Sequence, residues 1–298
     1  MKKIIALLFA LCVVASMLTA CGGNEQPLST SDPKQEALPT ESESAPETTA
    51  PSAELVESVV YDADGIKITA TKLSKDDIWG CGVSFLVENN TDRNLSFSGD
   101  YFVVNGVTVY GMLYIDVAAG KKANGSVFFS HDELERAGIS EFATISTYNA
   151  RMVDTDNYDT VADVAFDLTT TLAGNYIQSI DESGEVIFDQ DGVTVIAQII
   201  SDSFYGNVVQ LFTKNNTGKD IIIQAENVSV NGFTIDAWMY DVVYHDSVRY
   251  CQMEIFQDSL DTNGIEEIEE VTFTIRVIEN DTYDSITESG ELKVYVVE

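Results

Sequence analysis

Apolar residues occupy every second position in short segments along most of the chain after residue 55. Val83, Phe85 and Val87 follow this spacing in one segment, and Val209 and Leu211 follow it in another. A period of two over four to eight residues indicates β-strands that bury one face. The hydrophobic pattern therefore predicts a protein built mainly of half-buried strands.

The alternating segments occur in two copies. Four stretches return in the same order, namely YDADGIKITA (61–70) as FDQDGVTVIA (188–197), VENNTDRN (87–94) as TKNNTGKD (213–220), FVVNGVTV (102–109) as VSVNGFTI (228–235) and AGISEF (137–142) as NGIEEI (263–268). The spacing is nearly constant, as between Asn89 and Asn215 (215 − 89 = 126). Such repeats indicate tandem structural units. We expect domains at residues 55–170 and 185–298, joined by a linker at 171–184.

Turn signals separate the predicted strands. The pairs Asn105-Gly106 and Asn231-Gly232 supply two residues that tolerate positive φ, which favours a two-residue hairpin turn. The one clear helical signal is SHDELERAG (130–138), where Ser130 can cap the helix, Glu133 can complete a capping box and Gly138 can end it. The matching FQDSLDTNG segment ends on Gly264 without the box, so we expect a single turn there.

Seven or eight short strands per copy, with turns every 8 to 12 residues, are typical of a β-sandwich. The DG-led first strand, the V-x-N-N-T turn and the NG hairpin resemble the Ig-like domains of surface lipoproteins of Gram-positive bacteria. The resemblance covers residues 55–298 and implies an all-β fold of two tandem Ig-like antiparallel sandwiches. The Cys…Trp…Cys core of antibody domains is missing, because Trp79 and Trp238 do not correspond.

The N-terminus resembles a lipoprotein signal peptide at residues 1–20. Lys2 and Lys3 precede an apolar run, and the run ends in the lipobox-like sequence Leu18-Thr19-Ala20-Cys21. In lipoproteins the chain is cut before this cysteine, which then carries acyl chains. The resemblance implies an acylated Cys21 that anchors the protein in the lipid bilayer, on the extracellular face of the cell membrane. An ordinary cleavable signal is the alternative.

Residues 21–54 form a linker rich in Ser, Thr, Pro and Glu that contains all five prolines of the chain. With so few apolar groups the segment cannot bury enough surface to offset its chain entropy, so we expect it to be disordered. It would act as a tether between the lipid anchor and the folded domains.

The chain is strongly acidic. Removal of Lys2 and Lys3 with the signal leaves 14 basic and 49 acidic side chains, a net charge of −35 (14 − 49). Phosphate backbones repel such a surface, which argues against nucleic acid as a partner. Cys81 and Cys251 remain in the predicted domains, and without paired spacing they are expected to be buried free thiols.

One segment of the second copy, FTIDAWMYDVVY (233–244), is a candidate ligand face. The alternation places Asp236, Trp238, Tyr240 and Tyr244 on one face of a single strand. Flat aromatic faces can stack on sugar rings or receive a protein ligand. A Trp-Tyr row of this spacing lies more often in a core or in a seam between domains. The first copy has Tyr110, Met112 and Tyr114 at the matching positions, which favours packing.

Two acidic turns are weak candidates for calcium. Asp62 and Asp64 in the first copy, and Asp189 and Asp191 in the second, could offer carboxylate oxygens to the ion. An Asp-Gly pair that leads directly into a strand is more simply a tight turn. We therefore predict no metal site and no cofactor.

Catalytic residues are scarce. The chain has two histidines, and His245-Asp246-Ser247 places the three residue types of a triad next to one another rather than on separate segments. No nucleophile elbow, P-loop or zinc-binding helix motif is present. We expect a non-enzymatic, lipid-anchored extracellular protein that displays two β-sandwich domains for binding a protein or a glycan. The alternatives are a structural spacer of the cell envelope and a calcium-dependent module.

Overall fold

The computed structural model describes residues 53–76 and 80–295, without the side chains of Lys75, Asp76 and Asp202. The predicted signal peptide, the lipobox, Cys21 and nearly all of the 21–54 linker lie outside the described residues. Both sequence copies fall within one compact unit. None of the helices in the described ranges is long and apolar enough to cross a membrane.

The first copy contains eight strands and one short helix. They are β1 (Ser58–Ala63), β2 (Ile66–Asp76), β3 (Gly80–Asn89), β4 (Leu95–Val104), β5 (Val107–Val117), β6 (Lys122–Phe129), α1 (His131–Arg136), β7 (Thr144–Asp154) and β8 (Thr160–Thr169). Nearly every described residue of this copy thus lies in a strand or a connecting turn, and the all-β prediction is confirmed.

The second copy repeats this order with more interruptions. Its elements are β9 (Glu185–Gln190), β10 (Val193–Ser203), β11 (Gly206–Asn215), β12 (Ile221–Val230), β13 (Phe233–Thr234), β14 (Ala237–Trp238), β15 (Tyr240–Val243), β16 (Ser247–Phe256), α2 (Gln257–Thr262), β17 (Glu270–Glu279), β18 (Ser285–Glu288) and β19 (Leu292–Tyr295). The segment that matches β5 is divided into β13, β14 and β15.

One sheet runs through both copies in the order β1-β2-β3-β6-β5-β16-β11-β10-β9. Strands β4, β7 and β8 extend it from β5, while β12, β13, β15, β17, β18 and β19 form a second sheet. The copies join where β5 and β16 pair in parallel at Val107 and Val248. On the far side of β5 the sheet therefore continues with β16, β11, β10 and β9, which correspond to β6, β3, β2 and β1 of the first copy.

Each copy buries its own apolar core between its strand layers. In the first copy the largest buried side chains include Phe85, Phe97 and Phe102. In the second copy the core includes Phe273 together with Leu211 and many other aliphatic residues. Burial of these side chains stabilises the layers by roughly 1.5–3 kcal/mol each.

Hairpin turns lie where the sequence predicts them. Asp64-Gly65 and Asn105-Gly106 close two-residue turns in the first copy, and all four residues have positive φ. Asp191-Gly192 and Asn231-Gly232 do the same in the second copy. These pairs adopt the left-handed conformation at low cost because glycine lacks a Cβ and Asn and Asp tolerate it.

The repeated Asn-Asn-Thr turn is tied by a buried asparagine in both copies. The Asn89 amide donates to the carbonyl oxygens of Arg93 and Val117, at 2.8 and 3.2 Å. The Asn215 amide donates to those of Lys219 and Val243, both at 2.8 Å. The duplication is thus preserved in individual hydrogen bonds.

The two helices differ from the sequence-based expectation. Ser130 caps α1 as predicted, accepting a hydrogen bond from the backbone N–H of Glu133 at 3.2 Å. The Glu133 carboxylate does not complete the capping box but accepts from the backbone N–H of Tyr110 at 3.3 Å. Helix α2 lacks a side-chain cap, as expected, and its six residues exceed the expected single turn by less than one turn.

The contact region between the copies, here called the seam, is apolar at its centre. Val103 of the first copy packs with Ile222, Val242, Tyr244 and Ile278 of the second.

Three hydrogen bonds form a closed ring beside this apolar cluster. The Tyr244 N–H donates to Thr108 Oγ1, Thr108 donates to Ser247 Oγ, and Ser247 donates to the Tyr244 carbonyl. Because these polar atoms satisfy one another, they can be buried without a large desolvation penalty.

The 171–184 linker packs on the folded chain. The Gln178 amide donates to the carbonyl oxygen of Gly138 at 2.9 Å. The Tyr250 hydroxyl accepts from the backbone N–H of Asp181 at 2.8 Å. These bonds connect the linker to both copies.

Candidate functional site

The predicted ligand-face segment is not one continuous strand. Trp238 lies in β14, which pairs with β16 of the large sheet, whereas Tyr240 lies in β15, which pairs with β12 of the second sheet. Asp236 lies between β13 and β14, and its backbone N–H donates to Ser259 Oγ at 2.9 Å. The expected single strand is therefore wrong, because the chain passes from one sheet to the other at this point.

Trp238 and Tyr240 nevertheless form an exposed aromatic pair. Their rings stack with centroids 6.3 Å apart and an interplanar angle of 21°. Trp238 is 60 % exposed and Tyr240 is 37 % exposed. Asp236 is also exposed. The pair spans the corner between the two sheets and presents a flat apolar surface to solvent.

Tyr244 does not belong to this surface. It is fully buried in the seam, where its hydroxyl donates to the Tyr101 carbonyl at 3.3 Å and its ring lies edge-on to Tyr148. Burial raises the pKa of the Tyr244 hydroxyl above its usual value. The packing alternative applies to Tyr244, because the residue follows β15 where the chain enters the seam.

A small cleft opens beside the aromatic pair. Its volume is about 170 Å³, and it is lined by Glu133, Arg136, Trp238, Tyr240, Asp241, Arg249, Tyr250, Gln252 and Glu254. Glu133 and Arg136 come from the first copy and the others come from the second. The cleft combines aromatic faces with carboxylate, amide and guanidinium groups, and it lies on the seam.

Arg249 is the central charged group of the cleft. It is 5 % exposed and donates to Asp241 Oδ1 at 2.7 Å and to the Thr108 carbonyl at 3.1 Å. The Glu133 carboxylate is also close, with 3.5 Å between its Oε1 and Arg249 Nη2. Burial alone would lower the pKa of Arg249, but the carboxylates of Asp241 and Glu133 outweigh it and raise the pKa. Arg249 is therefore held as a cation at a fixed position.

Arg249 is a residue of the cleft that the motifs of the sequence do not single out, although the strand pattern contains a signal for it. In β16 every second position is buried, namely Ser247, Arg249, Cys251, Met253 and Ile255, and Tyr250 on the other face is buried as well. A charged residue within a row of buried apolar residues requires a partner. The pattern alone does not reveal that Glu133 on α1, which is 116 residues away (249 − 133 = 116), supplies part of it.

The outer face of β5 corrects another expectation. Tyr110, Met112 and Tyr114 were expected to favour packing, but they are 43 %, 56 % and 63 % exposed. The residues between them, Gly111 and Leu113, are buried. These three exposed residues, which we call the β5 row, face away from the core because successive side chains of a strand point to opposite faces.

The acidic turns show no arrangement for calcium. Asp62, Asp64, Asp189 and Asp191 are exposed at the β1–β2 and β9–β10 hairpins. Asp189 accepts from the Thr194 hydroxyl at 2.9 Å. Within residues 53–76 and 80–295, no three His, Cys, Asp or Glu side chains form a group that could hold a metal ion.

The remaining reactive side chains are separate from one another. Ser247 is buried in the hydrogen-bonded ring of the seam. The His245 side chain is instead hydrogen-bonded to Asp220, with 2.6 Å between Nδ1 and Oδ1. His245, Asp246 and Ser247 therefore do not form a catalytic triad. Cys81 and Cys251 are free thiols, and Cys251 is buried while Cys81 is only half-buried. Burial raises the pKa of the Cys251 thiol well above its usual value.

The chain shows limited similarity to known proteins. No protein-family model matches the chain, and no curated protein matches it either. One solved structure with partial similarity is described as a conserved domain protein from Bacillus anthracis. It is 12 % identical, with a TM-score of 0.28, and the match covers 82 % of this chain and 92 % of that one.

Proposed function

We propose that this protein is a lipid-anchored extracellular binding protein that holds a neutral glycan at the cleft on its seam. The stacked and exposed Trp238–Tyr240 pair carries the proposal. Large apolar side chains are costly to leave in water, and aromatic faces beside a concave polar site suit a sugar ring, which has both apolar C–H faces and polar hydroxyls.

The polar groups around the pair support a sugar ligand over a purely apolar one. The Gln252 amide can both donate and accept, and the Glu254 carboxylate accepts while already holding the Ser203 hydroxyl at 2.7 Å. Sugar hydroxyls require both kinds of partner. The net charge of −35 (14 − 49) after signal removal disfavours polyanionic glycans, so we infer a neutral ligand.

A role as a rigid spacer is the second candidate. The sheet that runs through both copies and the buried Arg249–Glu133 pair, which joins one copy to the other, would keep the two halves in a fixed orientation. A spacer does not require an exposed tryptophan, however. The two candidates therefore differ in whether Trp238 contributes to a measurable interaction.

Calorimetric titration with soluble neutral sugars tests the proposed function. The probes are glucose, mannose and N-acetylglucosamine, each as the monomer and as short oligomers. We expect Trp238→Ala to reduce the affinity for the sugar that binds by roughly 10-fold, near the upper end for one aromatic contact, because it removes the larger stacking face. Tyr295→Ala is the matched control, since Tyr295 is 57 % exposed on β19 and does not line the cleft.

Tryptophan fluorescence gives an independent readout. The chain has two tryptophans, so Trp79→Phe leaves Trp238 as the sole tryptophan. We expect the bound sugar to shift or quench its emission. If none of the sugars binds, or if Trp238→Ala and Tyr295→Ala bind equally well, the glycan proposal is wrong and the spacer role is favoured.

A further inference from the structure

The β5 row is an apolar strip on a surface that is otherwise strongly acidic. Tyr110, Met112 and Tyr114 occupy alternate positions on one strand and are all exposed. Their Cα atoms extend over about 14 Å, since a strand advances about 3.4 Å per residue. A contiguous exposed apolar row of this kind marks an interaction surface more often than scattered single residues do.

The β5 row is continuous with the cleft. The Arg249 guanidinium, which lines the cleft, lies over the Tyr101 ring at 5.1 Å from its centroid. The Tyr101 ring lies edge-on to Tyr110 with 5.7 Å between centroids. Packed cationic and aromatic side chains thus connect the cleft to Tyr110, the first residue of the row.

The backbone of β5 is also fixed to the cleft. Glu133, a cleft residue, accepts the N–H of Tyr110 at 3.3 Å, and Arg249 donates to the Thr108 carbonyl at 3.1 Å. These two hydrogen bonds fix the backbone at the Tyr110 end of the β5 row beside the cleft. A ligand could therefore contact both without any rearrangement of the seam.

We propose that the cleft and the β5 row form one extended binding track for a linear neutral oligosaccharide. This inference rests on the proposed function and specifies its ligand as a chain of several sugar units rather than a single sugar. A cleft of about 170 Å³ is small, below the usual range of ligand pockets, so it accepts one unit while the rest of the chain lies on the row.

Polar side chains along the track suit a neutral chain. Asp116 follows the β5 row on the same face of β5, and its hydrogen bond with the Tyr114 hydroxyl raises the pKa of that group. Asp100 lies next to Tyr101 on β4 and is exposed. These carboxylates can accept hydrogen bonds from sugar hydroxyls, whereas they would repel an anionic chain.

Chain-length dependence tests the track. The probes are β-1,4-linked glucose oligomers and N-acetylglucosamine oligomers of one to six units, titrated by calorimetry. We expect affinity to rise with length over the first few units, because each added unit reaches another side chain of the β5 row. Tyr114→Ala should lower the affinity for the hexamer by about 2- to 12-fold, the range for one aromatic contact, and leave the monomer unchanged.

Further variants show which side chains of the β5 row contribute to hexamer binding. Tyr114→Phe should bind the hexamer like the wild type, because it retains the ring, and Met112→Ala should weaken the hexamer alone. Tyr295→Ala should have no effect. Equal affinities for monomer and hexamer, or an unchanged hexamer affinity in both Tyr114→Ala and Met112→Ala, would overturn the track while leaving the cleft intact.

The outcome for Trp238 keeps the two proposals distinct. Trp238→Ala should weaken every length of oligomer, because its ring borders the cleft. If Trp238→Ala binds normally, the proposed function itself fails. If Tyr114→Ala impairs capture of an extended peptide but not of any oligosaccharide, the row serves a protein ligand and the track proposal is wrong.

Discussion

At the scale of single residues, the seam is held by groups that combine charge with burial. Arg249 is nearly inaccessible to water, and its cation is balanced by Asp241 and Glu133. Tyr101 adds an aromatic face to the same guanidinium, and burial raises the pKa of the Tyr101 hydroxyl. In such an arrangement the loss of one partner is costly, because the other charge remains buried without compensation.

Arg249→Met should lower the free energy of unfolding by about 3–5 kcal/mol, because it leaves Asp241 buried and unpaired. Urea denaturation followed by circular dichroism measures this change. Arg276→Met is the control, since Arg276 pairs with Glu226 at 3.6 Å on the surface and should change stability by no more than about 1 kcal/mol. Equal effects of the two substitutions would contradict the role given to Arg249.

At the scale of elements, the turns could be predicted and the course of one strand could not. Asn-Gly and Asp-Gly turns depend on local φ preferences, so their sequence is sufficient. The segment that matches β5 is also rich in apolar and aromatic residues, yet it is divided between two sheets in the second copy. Its pattern indicates strand, but which neighbour each piece pairs with depends on residues distant in sequence.

Asn215→Ala tests the buried turn of the second copy. The substitution leaves the carbonyl oxygens of Lys219 and Val243 without the amide donor, so we expect a loss of about 1–3 kcal/mol in the free energy of unfolding. Asn89→Ala should have a similar effect because the bonds are repeated there. Asn157→Ala, at an exposed turn, should change stability by less than about 0.5 kcal/mol.

At the scale of the whole molecule, the two copies share more than a linker. Ile196, Phe212 and Tyr250 of the second copy belong to the apolar cluster of the first. The large sheet also continues from β5 to β16. The copies therefore complete one another, so that unfolding of one exposes apolar surface of the other.

We expect a single thermal transition in differential scanning calorimetry, with equal calorimetric and van't Hoff enthalpies. Phe212→Ala should keep one transition and lower its midpoint, because the lost side chain, although in the second copy, supports the core of the first. Two separated transitions in the wild-type protein would show that the copies unfold independently.

The amino-acid sequence by itself determined the all-β class, the duplication and the hairpin turns, because strand periodicity and turn preferences act over a few residues. It also placed Trp238 and Tyr240 together as a candidate ligand face. Only the tertiary structure decided that Tyr244 is buried and that the β5 row is exposed. A period of two shows which residues share a face, but burial of that face depends on which distant segment packs against it.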